Sequence, residues 1–288
     1  MGLPRPSALT AALLAPPTDA LAPGVARALR DRVARELGAL ADGVPCGEQL
    51  RVDVAKVMLA LRHPDRCLSD DSRPFAPSAR ACRRAVGLAA VARCARGLAR
   101  TPGVAVNEVL DAGVEDVARH DPAGAIRSPW WATWYAQLPV GGRAAVKAEA
   151  VTWATQLLTA FEWRRFDRPP AIAGRDDWWQ APGGRLALRG RADVRAQLGE
   201  RAALVVVGGR SCDGDWKIRL GFPALVCLLA RGERALPCRV VGVWPASGQT
   251  RVLDVDSPAL EAVAKAVVSA TETWIGASAR ETRAARAG

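Results

Sequence analysis

The chain has 288 residues, half of them hydrophobic, and 40 basic residues against 29 acidic ones give it a formal net charge of +11. This is ample material for a buried core, in one large domain or two small ones. No stretch reaches the roughly 18 uncharged apolar residues of a membrane-spanning helix, which excludes a membrane protein of that kind. The basic surplus favours an acidic partner, such as nucleic acid or an anionic surface.

The first part of the chain has the pattern of a helical protein. Residues 1–22 are rich in proline and alanine, and we expect them to be loosely ordered. Apolar residues then recur at helical spacing, which predicts a helical region over 23–140. Within it we expect a helix over 48–62 and a longer one from Ser78 to about Arg100.

The second part of the chain has strand signals. "AALVVVGG" is a β-branched run typical of a buried central strand, and "WKIRLGFPALVCLLARG" has the spacing of a helix. The order of predicted elements indicates an α/β core over 141–276, followed by a basic tail over 277–288. We expect 177–256 to form one sheet, with 185–197 next to 202–208 and a helix at 216–231 on one face.

Seven scattered cysteines without a CxxC motif argue against a disulfide framework and give little support to a zinc site. The N-terminal apolar run is short and interrupted by prolines, which is unlike a signal peptide. Both features indicate a cytoplasmic protein. Arginine replaces lysine almost throughout, which is typical of a GC-rich bacterial genome but does not account for the excess of base over acid.

One acidic residue, Asp193, lies in "GRADV" among apolar neighbours. Together with the element order over 145–256, this stretch resembles the core of the PD-(D/E)XK nuclease superfamily, in its RecB-like branch. The resemblance implies a helical N-terminal region followed by a central mixed sheet flanked by helices. It also implies an acidic residue on the preceding helix, at Glu162, and a (D/E)-x-K motif, whose place is taken by "GGR" with Gly208 and Arg210.

In that superfamily two carboxylates and a main-chain carbonyl hold Mg²⁺, and the lysine positions the attacking water. Gly208 offers no carboxylate, and Arg210 keeps a positive charge but cannot act as a base. The resemblance therefore implies a degenerate site. Asp213 or Asp215, with Lys217, could replace the missing groups, and Asp193 and Asp215 would then be the metal ligands.

Several arginines could contact phosphates. Arg93, Arg96 and Arg100 are expected to share one face of the helix from Ser78. Arg191 and Arg195 flank Asp193, and either could instead simply pair with it. Trp216 could stack on unpaired bases, although core packing is the commoner use of tryptophan.

Three functions are compatible with these patterns. The first is a nucleic-acid-binding protein on an inactive nuclease fold. The second is an active Mg²⁺-dependent nuclease with a relocated carboxylate and lysine. The third is a scaffold that binds a protein partner and no nucleic acid. Motif loss argues against catalysis and the charge favours an anionic partner, so the first is the leading hypothesis.

Overall fold

The protein is a mixed α/β structure with two β-sheets, which confirms the α/β class predicted from the sequence. The computed structural model describes residues 8–15, 21–67, 77–119, 129–163, 171–172, 176–198, 201–208 and 212–287. Its helices are α1 (Ala8–Leu14), α2 (Pro23–Ala41), α3 (Val54–Arg62), α4 (Ala79–Ala95), α5 (Pro102–Ala118), α6 (Trp130–Ala136), α7 (Val140–Ala160), α8 (Trp216–Arg231) and α9 (Ser257–Ala287). Within these residues no helix combines the length and apolar character needed to cross a bilayer.

The larger sheet has five strands in the order β2-β5-β6-β7-β8. Strand β6 is interior, as the run "AALVVV" predicts, because it pairs antiparallel with β5 and parallel with β7. The parallel pair is connected through α8. The bounds of these strands are β2 (Ala171–Ile172), β5 (Val194–Leu198), β6 (Arg201–Val207), β7 (Arg239–Trp244) and β8 (Gln249–Asp254).

The prediction of a single sheet over 177–256 is wrong. Strands β3 (Asp177–Gln180) and β4 (Leu186–Gly190) join β1 (Leu50–Asp53) in a second sheet of order β1-β4-β3. Strand β4 is therefore not a neighbour of β6, and the chain crosses from one sheet to the other at residues 191–193. The cause is the parallel pairing of β4 with β1, a partner more than a hundred residues away.

Two hydrophobic cores lie on opposite faces of the larger sheet. Side chains alternate along a strand, so Val205 and Val207 pack with α4, α5 and α7, whereas Leu204 packs with α2, α8 and α9. The core that contains Leu204 also includes side chains of the smaller sheet. Helices thus cover both faces of the larger sheet, and the carboxyl ends of β6 and β7 lie between the two helix layers.

Three local predictions differ from the structure. The segment 48–62 is not one helix: its first part is strand β1, and α3 begins only after Asp53, whose carboxylate accepts from the main-chain N–H of Ala55 at 2.9 Å. Helix α4 ends at Ala95, so Arg100 lies outside it. At the chain ends, α1 is a helix within the segment expected to be loosely ordered, and the backbone of α9 stays helical to Ala287.

Of the adjacent tryptophans on β3, the alternation of side chains predicts that one points outward. Trp178 is 44% exposed, with the guanidinium carbon of Arg189 5.4 Å from the centroid of its ring. Trp179 packs against the core. This prediction is confirmed.

We expect Gly190→Ala to lower the free energy of unfolding by about 1–3 kcal/mol, because the site has no room for a methyl group. A Cβ at residue 190 would lie 2.7 Å from Cβ of Val226 and 3.3 Å from the main-chain Cα of Pro223 on α8. Urea denaturation measures the change. Gly24→Ala, where the added atom meets nothing within 4 Å, is the control, and equal stability of both variants would contradict the prediction.

Candidate functional site

Asp193 is a fully buried carboxylate at the crossing between the two sheets. Its side chain has 0% exposure, and its main-chain N–H donates to the carbonyl oxygen of Val205 at 2.8 Å. The main-chain N–H of Val207 donates to Oδ2 of Asp193 at 2.7 Å. Two hydrogen bonds with β6, one from the main-chain N–H of Asp193 and one from that of Val207, therefore hold the carboxylate at the carboxyl end of this strand.

The positive charge that compensates Asp193 comes from Arg84 on α4. Nη2 of Arg84 lies 2.5 Å from each carboxylate oxygen, and Nη1 donates to the carbonyl oxygen of Val207 at 3.0 Å. One guanidinium thus binds both the carboxylate and a main-chain carbonyl of the neighbouring strand. Carboxylate and carbonyl oxygens are also the ligands that a hard cation such as Mg²⁺ prefers.

Helix α4 brings three arginines to this place. The helix begins after Ser78, whose hydroxyl accepts from the N–H of Ala81 at 3.3 Å. Arg80, Arg83 and Arg84 follow at spacings of three and four residues, which puts them on one face. The sequence contains this stripe in "ARACRRAV", but it does not show that the stripe faces a carboxylate 109 residues further along the chain.

A cleft about 400 Å³ in volume lies in front of these arginines, between α4 and α7. We call it the α4–α7 cleft. Two of its lining residues lie at strand ends: Gly208 directly follows β6, and Ala246 is the second residue after β7. This is the carboxyl end of a parallel strand pair, where open α/β sheets commonly bind ligands. The residues lining the cleft are Arg80, Arg83, Arg84, Ala148, Glu149, Thr152, Trp153, Gln156, Gly208 and Ala246.

Gly208, which stands where the resemblance implies a second carboxylate, has no space for a side chain. A Cβ at this position would overlap Nε1 of Trp244, the neighbouring residue on β7. The indole of Trp244 is 2% exposed and lies over Gly242, where an added Cβ would come within 2.5 Å of the ring. Two glycines thus make room for one buried tryptophan, and this packing leaves no space for a carboxylate at residue 208.

The two loop carboxylates that could replace the missing one at residue 208 form ion pairs with other residues. Arg62, at the end of α3, donates to Oδ2 of Asp215 at 2.8 Å and lies 2.9 Å from Oδ2 of Asp213. Arg219 donates to the same oxygen of Asp213 at 3.0 Å. Desolvation opposes ionisation of Asp213, but the hydrogen bonds and charges of Arg62 and Arg219 outweigh it and lower its pKa. These contacts make an ion-pair cluster between α3 and α8.

Two of the remaining predicted catalytic residues, Lys217 and Glu162, have their described contacts with other parts of the chain than Asp193. Lys217 is exposed, with Nζ 5.8 Å from the ring centroid of Trp216, which itself packs against the core. Glu162 lies beyond the end of α7, and its main-chain N–H donates to Oγ1 of Thr10 at 3.0 Å. Arg210 lies outside the described residues. Among the residues that are described, no group of three or more His, Cys, Asp or Glu side chains could hold a metal ion.

The arginines predicted to bind nucleic acid have different environments. Arg93 is paired with Glu108 at 2.6 Å, and Arg96 and Arg100 are exposed. Arg191 is half exposed, with Nε 3.8 Å from Oδ1 of Asp193. Arg195 is partly buried and donates to the buried Asp177 at 3.0 Å.

Cys82, which lies between Arg80 and Arg84 on α4, could be mistaken for a nucleophile. Burial raises the pKa of its thiol to about 11, so the thiolate is scarce at neutral pH. The side chain is fully buried in the core beneath α4. Its contribution is to packing.

Comparison with models of known protein families gives no match, and comparison with curated proteins gives none either. The fold and the site therefore define the class of this protein by themselves. It is an α/β protein in which a buried carboxylate is paired with an arginine that lines a basic cleft.

Proposed function

We propose that this protein binds nucleic acid on a nuclease-like scaffold and does not cleave it with a metal ion. The single observation that carries the proposal is the position of Arg84. Its guanidinium uses both oxygens of Asp193 and the carbonyl of Val207, a carboxylate and a main-chain carbonyl, which are the kinds of group that hold Mg²⁺ in the family that the sequence resembles. A fixed organic cation takes the place of the exchangeable metal.

The geometry around Arg84 supports the absence of cleavage. In the superfamily that the sequence resembles, phosphodiester hydrolysis uses two carboxylates at the metal ion, together with a group that positions water. Gly208 leaves no room for the second carboxylate, and Asp213 and Asp215 are paired with Arg62. The alternative of a rewired nuclease requires these ion pairs to break and the loop to move toward Asp193.

The charge of the molecule supports the binding half of the proposal. The net charge is +11, and three arginines against one glutamate line the α4–α7 cleft. Arginine binds phosphate with two parallel hydrogen bonds and needs no metal to do so. A nuclease-like scaffold that has lost its metal ligands can therefore still hold a strand.

The purified protein is expected to bind single-stranded or duplex nucleic acid with an affinity that falls steeply as salt rises, because arginine–phosphate contacts release counterions. Fluorescence anisotropy across a salt series measures this. Linear, supercoiled and single-stranded substrates incubated with Mn²⁺ or Mg²⁺ are expected to remain intact. Absence of binding even at low salt would overturn the proposal in favour of the protein-binding scaffold.

The cleavage assay needs two variants to be decisive. Wild type is run beside Asp193→Ala and Lys217→Ala, the residues that a rewired site cannot lack. Cleavage by wild type that both substitutions abolish would establish the relocated metal site and contradict the proposal. Cleavage that persists unchanged in both variants would come from a contaminating nuclease or from a different site of this protein, and the second of these would also contradict the proposal.

A further inference from the structure

The α4–α7 cleft has more hydrogen-bond donors than acceptors. Within the described residues, Arg80 has no ion-pair partner, and Nε of Arg83 and Nε of Arg84 are buried without a hydrogen-bond acceptor. Buried donors are nearly always satisfied in folded proteins. Burial closes the two Nε atoms to a ligand, so the donors that a group in the cleft can reach are those of Arg80 and the terminal nitrogens of Arg83. A group with several acceptor oxygens would satisfy these donors.

The three arginines divide into two kinds. Arg84 is committed, because its two terminal nitrogens are bonded to Asp193 and Val207. Arg80 is exposed, and Arg83 pairs with Glu149 at 2.6 Å in a contact where both side chains are partly open to solvent. Such exposed ion pairs are weak, so an incoming anion can compete with Glu149 for Arg83.

The opposite wall of the cleft comes from one face of α7. Glu149, Thr152 and Gln156 follow at helical spacing and are exposed. The hydroxyl of Thr152 donates to the carbonyl of Ala148 at 3.1 Å, and Gln156 offers an amide. The cleft volume of about 400 Å³ lies within the range of small-molecule sites. A wall with three arginines faces a polar wall with one acidic residue, Glu149, and this excess of positive charge suits a ligand with one anionic end.

We propose that the α4–α7 cleft binds a phosphate group that is part of a nucleotide, with Arg80 and Arg83 as its ligands and Arg84 as a positioning residue. The inference rests on the proposed function, because the phosphate is taken to belong to a nucleic-acid strand. The same chemistry would recognise a free nucleotide. The experiment below separates these two sources.

The experiment is isothermal titration of the whole protein with thymidine 5′-monophosphate and with thymidine, which lacks only the phosphate. A thymidine oligonucleotide, with or without a 5′-phosphate, is the strand probe. Arg80→Ala/Arg83→Ala is compared with Arg35→Ala/Arg251→Ala, which removes two exposed arginines that do not line the cleft. Both double variants lose the same charge, so a general electrostatic effect would be equal in the two.

Wild type is expected to bind the monophosphate and not thymidine. Arg80→Ala/Arg83→Ala should weaken binding at least about tenfold, because charge-assisted hydrogen bonds are lost, and the control variant should weaken it far less. Arg80→Lys/Arg83→Lys keeps the charge but loses the two-pronged geometry, and it should fall in between. Glu149→Gln should tighten binding, since it removes the one acidic group of the cleft.

Equal binding of thymidine and its monophosphate, or equal losses in the two double alanine variants, would overturn the cleft assignment. Oligonucleotide binding that survives Arg80→Ala/Arg83→Ala would do the same and leave the proposed function standing. Monophosphate binding through the cleft without oligonucleotide binding would uphold the phosphate site and overturn the proposed function. A dependence of oligonucleotide affinity on the 5′-phosphate would identify a strand end as the ligand.

Discussion

Arg84→Ala is expected to lower the free energy of unfolding by about 3–5 kcal/mol, because it leaves a buried carboxylate without its counter-charge. Asp193 has 0% side-chain exposure, and Arg84 supplies hydrogen bonds to both of its oxygens. The N–H of Val207 would remain as a donor to the carboxylate, and the nearest positive charge would be the half-exposed Arg191, with Nε at 3.8 Å from Oδ1, beyond hydrogen-bond distance. Urea denaturation followed by circular dichroism measures the loss.

Arg83→Ala is the matched control, one residue earlier on the same helix. It removes an equal charge, but its partner Glu149 is 53% exposed, so the cost should stay near or below about 1 kcal/mol. Arg84→Ala/Asp193→Asn should be more stable than Arg84→Ala alone, since no buried charge is then left unpaired. Equal stability of the two single arginine variants would show that Asp193 does not depend on Arg84.

We expect Gly208→Asp to destabilise the protein by about 2–4 kcal/mol and to produce no cleavage activity. This substitution places an acidic residue at the position where the nuclease motif has one. The new side chain would collide with the indole of Trp244, and such overpacking costs roughly 1–3 kcal/mol before the carboxylate is desolvated. Trp244 cannot give way easily, because it is almost fully buried over Gly242.

Gly214→Asp adds the same charge in the loop before α8, where a Cβ meets nothing within 4 Å. Its stability should stay within about 0.5 kcal/mol of wild type. Thermal denaturation of both variants and a nuclease assay with Mn²⁺ are the measurements. Metal-dependent cleavage by Gly208→Asp at wild-type stability would mean that the site has room for an active arrangement.

Arg84→Ala and Gly208→Asp both change contacts beside strand β6. On one side Arg84 neutralises Asp193, and on the other Trp244 fills the space beside Gly208. An added carboxylate at residue 208 would meet both a filled core and an arginine already bound to Asp193. Both packing and electrostatics therefore oppose the creation of a metal site at this position by a single substitution.

The sequence by itself determined the features that depend on neighbouring residues. The β-branched run before Gly208 predicted an interior strand, and the structure has it as β6. The apolar spacing after Asp215 predicted α8, and the alternation on β3 predicted one exposed tryptophan. Each signal is a period of two or 3.6 residues, which is written in consecutive letters of the sequence.

Only the tertiary structure decided which elements meet. The pairing of β1 with β4 divided the expected single sheet into two, and α4 delivered Arg84 to Asp193 from 109 residues away. Helical spacing gave Arg80, Arg83 and Arg84 a common face but could not say what that face contacts. An ion pair between distant elements leaves no periodic trace, because its partners are matched by packing in three dimensions rather than by spacing along the chain.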